Sequence, residues 1–255
     1  MIILIAEAKT MEKDQREISM ELFTDRRPEY DGEADRIMQH LMDLPVSEIA
    51  SAMKVSERMA VNIKEMAYEF PNKAIGRQAI DAFSGIVFKH LDYTGLSERA
   101  KENADSNVRI ISSVYGWLRP RDIIKPYRME FSARLAPDDK VVSTFWRRQV
   151  TVSLVKTLQT RGETEVLDLL PADAAKCIDW KLVKRFAKVR KVDFTEQNGE
   201  SVRSPHAGKL KALRGQLLRC ILESGMSDIN QLRTFQTDDF LPSEPKFPDR
   251  IAFMV

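Results

Sequence analysis

The feature that most constrains the fold is a continuous apolar run near the amino terminus, "IILI" at residues 2–5. It is rich in β-branched residues and has no polar alternation, which is typical of a strand buried on both faces. Residues 165–171 and 250–255 are two further strand candidates. Apolar residues at three- and four-residue spacing predict helices at 32–44 and 46–66. The predicted fold class is therefore mixed α/β (α+β), with a central sheet surrounded by helices.

Three further segments complete the predicted element order. "IVFKHLD" at 86–92 predicts a strand, and residues 96–118 predict a helix that ends in a turn at Gly116. Asn-Gly at 198–199 stands between alternating runs and predicts a β-hairpin, because both turn positions tolerate positive φ. Neither repeats nor low-complexity linkers interrupt these elements, so a single domain over 1–255 is predicted.

The charge of the chain is small in total but uneven along its length. The net charge is only +2, so a uniformly cationic, histone-like protein is not predicted. Residues 181–219 nevertheless hold eleven lysines and arginines against three acids. Such asymmetry predicts a basic face for a polyanionic ligand. The alternative is a pair of basic elements that only face water.

Several classes of protein are disfavoured by what the sequence lacks. Cys177 and Cys220 are the only cysteines, so no disulfide framework is expected and a cytoplasmic location fits. The apolar start is too short for a signal peptide or a membrane span. His40, His90 and His206 are scattered, and no phosphate-binding loop or dinucleotide fingerprint is present. The expectation is no cofactor, no metal site, no membrane contact and no obligate protein partner.

Residues 46–69 have the pattern of two short helices joined by a tight turn. Lys54 lies at the turn, Ser56 is placed to cap the second helix, and Arg58 adds charge in its first turn. A helix-hairpin-helix-like element would present backbone N–H groups to phosphate in this way. Because the turn lacks glycine, two packed helices with a capped turn are the alternative.

The block "YGWLRPRDIIKPYRME" at 115–130 concentrates cations beside rigid backbone residues. Guanidinium groups bind phosphate through a planar fork, and proline reduces the ordering that binding requires. The block could equally be a helix exit with a solvated turn. Its cations are Arg119, Arg121, Lys125 and Arg128.

A late helix is predicted over 204–224, with Ser-Pro at its start as N-cap and first-turn proline. Lys211, Gly215 and Arg219 recur at four-residue steps and share one face, with Arg214 at its margin. Gly215 costs helix stability, so either a ligand or a neighbouring backbone is expected to approach closely there.

Charged residues also follow the predicted strands. Lys9 comes shortly after the first strand, and the carboxyl ends of strands border the ligand crevice in open α/β sheets. Asp168 and Asp173 flank the end of another predicted strand, where carboxylates could hold Mg²⁺ or act as acid and base. An enzyme acting on a nucleotide or nucleic-acid phosphate, with Lys9 and the arginines holding the anion, is therefore the alternative to a pure binding protein.

The chain resembles the YaaA peroxide-stress protein family along nearly its full length. The central block at 115–130 is the most specific match. The matching blocks are "ILIAEAKT", "MKVSERMAVNI", "RQAIDAFSG", "SSVYGWLRPRDIIKPYRME", "TFW" and "KLKALRGQLLRCIL".

The resemblance implies a cytoplasmic bacterial protein with a basic cleft, a helix-hairpin-helix-like element and binding to double-stranded DNA without sequence specificity. It also implies a role in limiting iron-driven oxidative damage during peroxide stress, with no established catalytic activity. The matching positions that it suggests for nucleic-acid binding are Lys9, Lys54, Ser56, Arg58, Arg119, Arg128, Lys211, Arg214 and Arg219.

Two departures from the family pattern fall near these positions. Ala6-Glu7 stands where the family usually has Ser-Pro, so Glu7 is expected either to weaken anion binding or to pair with Lys9. Asp173-Ala174 stands where the family has Glu-Tyr, so any role of that tyrosine is absent or moved.

Overall fold

The computed structural model describes residues 1–12, 14, 16–199 and 201–255. Within these ranges the strands are β1 Ile2–Ala6, β2 Arg16–Glu17, β3 Ile75–Gln78, β4 Val108–Ser112, β5 Gly116–Leu118, β6 Ile123–Ile124, β7 Glu165–Asp168, β8 Lys188–Asn198, β9 Ser201–Arg203, β10 Leu241–Ser243 and β11 Arg250–Met254. The α-helices are α1 Met20–Asp25, α2 Asp31–Asp43, α3 Val46–Met53, α4 Glu57–Glu69, α5 Ala79–Ala82, α6 Ile86–Leu91, α7 Glu98–Asn107, α8 Val142–Arg161, α9 Trp180–Val183 and α10 Ala207–Ser224. None of these helices is both long and apolar enough to cross a bilayer.

The main sheet has the strand order β10-β11-β8-β7-β1-β4-β5, and β9 pairs with β8. The five strands from β11 to β4 are parallel, while β10 and β5 are antiparallel edge partners. Within β1, Ile3 lies opposite Val108 of β4 and Leu167 of β7. Residues Ile2 to Ile5 of β1 are buried because strands flank them on both sides and helices cover the sheet. The predicted class, a mixed α/β fold with a central sheet surrounded by helices, is confirmed.

Two predicted elements are wrong. The segment 86–92 is not a strand but contains helix α6, which buries Phe88 and Leu91 at three-residue spacing. A short apolar run does not distinguish the two by periodicity. The predicted helix at 96–118 ends at Asn107 and continues as β4 and β5. Gly116 is the first residue of β5 and has φ of +70°, and an added Cβ there would be 2.7 Å from the Trp146 ring.

The late helix and the hairpin agree more closely with the prediction from the sequence. Strands β8 and β9 pair antiparallel, as the Asn-Gly signal predicts, but Asn198 is the last residue of β8, opposite Ser201, and Gly199 follows it with φ of +62°. Helix α10 ends at Ser224 as predicted, but its N-cap is His206 rather than the predicted Ser204, because the His206 side chain accepts from the Lys209 N–H at 3.4 Å. Gly215 marks close packing of α10 on α6, since its Cβ would lie 2.2 Å from the Val87 carbonyl oxygen.

Candidate anion-binding site

A cavity of about 400 Å³ lies at the carboxyl ends of β1 and β7, and we call it the strand-end cavity. Its wall is formed by the segment after β1, the start of α6, residues 129–131, the segment after β7 and one face of α10. Phe88, Phe131 and Leu169 contribute apolar surface. The charged side chains on the wall are Glu7, Lys9, Lys89, Glu130, Asp173, Lys211 and Arg214.

Arg214 is the half-buried cation of this cavity. Burial lowers the pKa of its guanidinium, and the charges of Asp168 and Asp173 act in the opposite direction. Its guanidinium makes no hydrogen bond or close ion pair with another described residue. Lys211, one turn earlier on α10, is exposed and also lacks such a partner within the described ranges. Two cations on one helix face are therefore available to an anion in the cavity.

Lys9 reaches the same cavity but has an ionic partner. Its Nζ lies 2.6 Å from Glu130 Oε2, and its side chain is 58% exposed. An ion pair with one end so exposed to solvent contributes little stability, so a bound anion can compete for the lysine. The expected pairing of Lys9 with Glu7 is wrong, because Glu130 takes that place.

Glu7 instead belongs to a hydrogen-bonded network beneath the cavity. Its backbone N–H donates to the Ile111 carbonyl at 2.9 Å, which extends the β1–β4 pairing and fixes its position. Its carboxyl accepts from the backbone N–H of Ser113 at 3.0 Å, from the Ser113 hydroxyl and from the Tyr127 hydroxyl. Burial raises the pKa of Glu7 to about 7, although these hydrogen bonds lower it. The cavity thus holds a carboxyl group that changes charge near neutrality.

The two aspartates of the predicted enzyme site differ in position. Asp173 lines the cavity and accepts from the Ala174 N–H at 2.9 Å, so that it caps the 3₁₀ turn Ala174–Cys177. Asp168 is buried at the end of β7, accepts from the Leu170 N–H at 2.8 Å and is not on the cavity wall. Among the described residues, no three potential metal-ligating side chains of His, Cys, Asp or Glu form a group.

Arg119 lies away from the strand-end cavity. Strand β5 runs antiparallel to β4, so Leu118 is opposite Ile110 and the chain continues toward the amino-terminal end of β4. There the Arg119 Nε donates to Asp122 at 2.7 Å, and its backbone N–H donates to the same carboxylate at 2.7 Å. Burial raises the pKa of Asp122 to about 6, while Arg119 lowers it. The arginine therefore compensates a buried carboxyl, and any contact with DNA stays a prediction.

Arg219 also stabilises the fold, through hydrogen bonds to the segment at the end of α6. Its guanidinium donates to the carbonyls of Leu91, Asp92 and Gly95 and to the Asp92 carboxylate, at distances between 2.8 and 3.0 Å. These contacts satisfy the carboxyl-terminal carbonyls of α6. Arg128 is half-buried beside the cavity-lining Met129, and its Nε is buried without a hydrogen-bond partner in the described part of the chain.

The predicted hairpin element consists of α3 and α4. Lys54 ends α3 in the left-handed conformation with φ of 53°, the role that glycine often has. The Ser56 hydroxyl caps α4 by accepting from the Met59 N–H at 3.3 Å, and Arg58 is exposed. The helix pair is confirmed, whereas its identity as a helix-hairpin-helix motif is not. None of these three residues lines the strand-end cavity.

The sequence does not predict a site role for Lys89, Glu130 or Ser113, nor the role of Tyr127 as a partner of Glu7. Lys89 lies in the segment 86–92, whose pattern predicts a strand, and Glu130 is an acid in a block whose cations indicate an anion site. Ser113 and Tyr127 hold Glu7, and no sequence signal joins residues so far apart.

Comparison with known proteins supports the resemblance found in the sequence. A family model described as "Peroxide stress protein YaaA" matches residues 1–245. A UPF0246 protein of Parabacteroides distasonis is 29% identical over 243 residues, covering 94% of this chain and 93% of the relative. A UPF0246 protein of Shewanella sp. (strain ANA-3) is 31% identical over 260 residues, covering 97% and 98% respectively. The chain belongs to the YaaA peroxide-stress protein family.

Proposed function

We propose that this protein binds DNA without sequence specificity, through phosphate contacts at the strand-end cavity, and thereby helps to limit iron-driven oxidative damage. The observation that carries the proposal is the convergence of Lys9, Lys211 and Arg214 from distant segments on one cavity. Two of these cations have no hydrogen-bonded or close ionic partner among the described residues. Neutralising phosphates releases condensed counterions, which drives such binding and makes it sensitive to salt.

The size of the cavity limits the mode of contact. A duplex is much wider than a cavity of about 400 Å³, so the cavity and its rim would engage the backbone locally. Exposed Lys89 and Lys211 lie at this rim, and the exposed pair Lys54 and Arg58 offers a second, separate contact. Backbone contacts of this kind position a protein on DNA without reading its sequence.

The test is duplex binding by a variant with Lys211→Gln and Arg214→Gln. Loss of two phosphate contacts should weaken binding about tenfold or more at low salt. The matched control is Lys156→Gln with Arg233→Gln, because both residues are exposed and lie outside the cavity wall. Equal affinities of the two variants by fluorescence anisotropy would refute the proposed site. Protection of a plasmid from nicking by ferrous iron and peroxide should fall in the same variant.

A second candidate is an enzyme acting on a nucleotide phosphate. The specific observation in its favour is Glu7, a carboxyl group with a pKa of about 7 on the wall of a partly enclosed cavity, because a group poised near the working pH suits general acid–base catalysis. Nuclease and nucleotide-turnover assays with and without Mg²⁺ distinguish the candidates. A pure binding protein leaves every substrate intact.

A further inference from the structure

We propose that the strand-end cavity is a binding site for a single nucleotide phosphodiester, and that Glu7 takes up a proton when this anion binds. The inference deepens the proposed function and rests on its anion site. The phosphodiester could come from a free small nucleotide or from a terminal or extruded nucleotide of a DNA strand. Its chemistry is the same in both cases.

The cavity has the size and the wall of a small-molecule site. Its volume of about 400 Å³ lies within the range of ligand pockets. Phe88, Phe131 and Leu169 give it an apolar side that can cover a sugar or a base. Arg214 and Lys211 converge from α10 as polar anchors. An apolar wall with a few convergent charges is the usual composition of such sites.

Arg214 is the primary anion contact. A half-buried guanidinium has lost part of its hydration, and this one has no hydrogen bond to the described protein in exchange. Burial accordingly lowers its pKa. A phosphodiester oxygen in the cavity would supply the missing acceptor, and guanidinium–phosphate contacts are strong because both groups are charged.

The groups around Glu7 determine whether its carboxyl gains a proton when an anion binds. Ser113 and Tyr127 donate to its carboxyl, and the buried Cys177 lies near it on the 3₁₀ turn. Burial raises the pKa of the Tyr127 hydroxyl and of the Cys177 thiol, and the charge of Glu7 raises both further, so both groups stay neutral around neutral pH. The other charged groups of the cavity wall are Lys9, Lys89, Glu130, Asp173, Lys211 and Arg214.

Burial raises the pKa of Glu7 to about 7, so the carboxyl is about half protonated at neutral pH. An ionised Glu7 on the cavity wall repels a bound anion, whereas the protonated carboxyl carries no charge and does not. Across a cavity of this size, one charge changes affinity about fivefold to tenfold. Binding should therefore be about fourfold to sevenfold tighter at about pH 6 than at about pH 8.5, with uptake of about 0.3 to 0.4 proton at neutrality.

The experiment is isothermal titration calorimetry of the full chain with the dinucleotide thymidylyl-thymidine. Its phosphodiester keeps one charge over this pH range, so any proton uptake belongs to the protein. Titrations in two buffers of different ionisation enthalpy measure that uptake. Glu7→Gln should bind at every pH with about the low-pH affinity and take up no proton. The matched control Glu12→Gln removes an exposed carboxyl outside the cavity wall and should behave as the wild type.

The outcomes separate this inference from the proposed function. Dinucleotide binding without proton uptake, or pH dependence that persists in Glu7→Gln, overturns the role of Glu7. Duplex binding by a chain that does not bind the dinucleotide overturns the nucleotide site but leaves DNA binding standing. Dinucleotide binding with proton uptake but no duplex binding overturns the proposed DNA binding and leaves the nucleotide site standing. If Glu7→Gln does not fold, wild-type proton uptake and loss of dinucleotide binding in Arg214→Gln decide the question.

Discussion

The contact between α10 and α6 gives a stability prediction that can be worked from the structure, using Gly215→Ala. The added Cβ would lie 2.2 Å from the Val87 carbonyl oxygen and 3.0 Å from both the Leu91 backbone nitrogen and the His90 Cβ. Carbon and oxygen atoms in contact are normally about 3.3 Å apart or more. The two helices must therefore separate by about 1 Å.

The expected cost follows from two opposing effects. Overpacking costs about 1 to 3 kcal/mol, and the upper end applies because the closest atom belongs to the backbone and cannot rotate away. Alanine recovers about 1 kcal/mol through its higher helix propensity. The net loss should be about 2 kcal/mol, a substantial part of the stability of an ordinary domain.

Urea unfolding followed by circular dichroism measures this loss. The control is Gly208→Ala in the first turn of the same helix, where an added Cβ would meet, in the described part of the chain, the ring atoms of His206 at 3.1 and 3.3 Å. Moving that ring weakens the His206 cap and offsets the gain in helix propensity, so the control should stay within about 1 kcal/mol of the wild type. If Gly215→Ala is as stable as Gly208→Ala, the close approach of the helices is refuted.

Three other predictions concern groups in the fold and the site. Arg119→Ala should lower the free energy of unfolding by about 2 kcal/mol, because it leaves the buried Asp122 carboxylate without its ionic partner. Adding Asp122→Asn should recover part of this loss, because the unpaired charge is then removed. Losses that add in urea unfolding of the double variant would contradict this. Arg219→Ala should cost about 1 to 2 kcal/mol by freeing the last carbonyls of α6, and thermal melting that matches the wild type would contradict it. Because the pKa of Glu7 is higher in the folded protein, Glu7 contributes stability below its unfolded pKa, and this contribution is lost as pH rises through about 7. Relative to Glu7→Gln, the free energy of unfolding of the wild type should fall by up to about 3 kcal/mol between about pH 4 and pH 8. Parallel curves of unfolding free energy against pH for the two proteins would exclude this.

The sequence predicts those elements whose surroundings leave a local pattern. Strand β1 is predictable because burial on both faces removes polar alternation, and the β8–β9 hairpin is predictable because Gly199 follows β8 at positive φ, a conformation that glycine favours. Helix α6 is not, because a six-residue apolar run fits either structure until α10 packs on it at Gly215. The interpretation of Gly215 as a close approach is confirmed for a helix neighbour.

The site shows the same division between local and distant information. Lys9 is predicted because residues after parallel strands meet at one sheet edge, and Lys211 and Arg214 face that edge from α10. Arg119 cannot join them because β5 reverses direction, which no single segment reveals. The pKa of Glu7 is raised by burial and lowered by hydrogen bonds from two partners more than a hundred residues away, so spacing alone cannot predict it.

The most direct test of the central claim is the salt dependence of duplex binding. The logarithm of the association constant is measured against the logarithm of potassium chloride concentration for the wild type and for two triple variants that share the same loss of charge. The cavity variant has Lys9→Gln, Lys211→Gln and Arg214→Gln, and the control has Lys156→Gln, Arg233→Gln and Lys246→Gln. The cavity variant should lower the magnitude of the slope by about 2 to 3, while the control leaves it nearly unchanged. Equal slopes for all three proteins would contradict phosphate binding at the strand-end cavity.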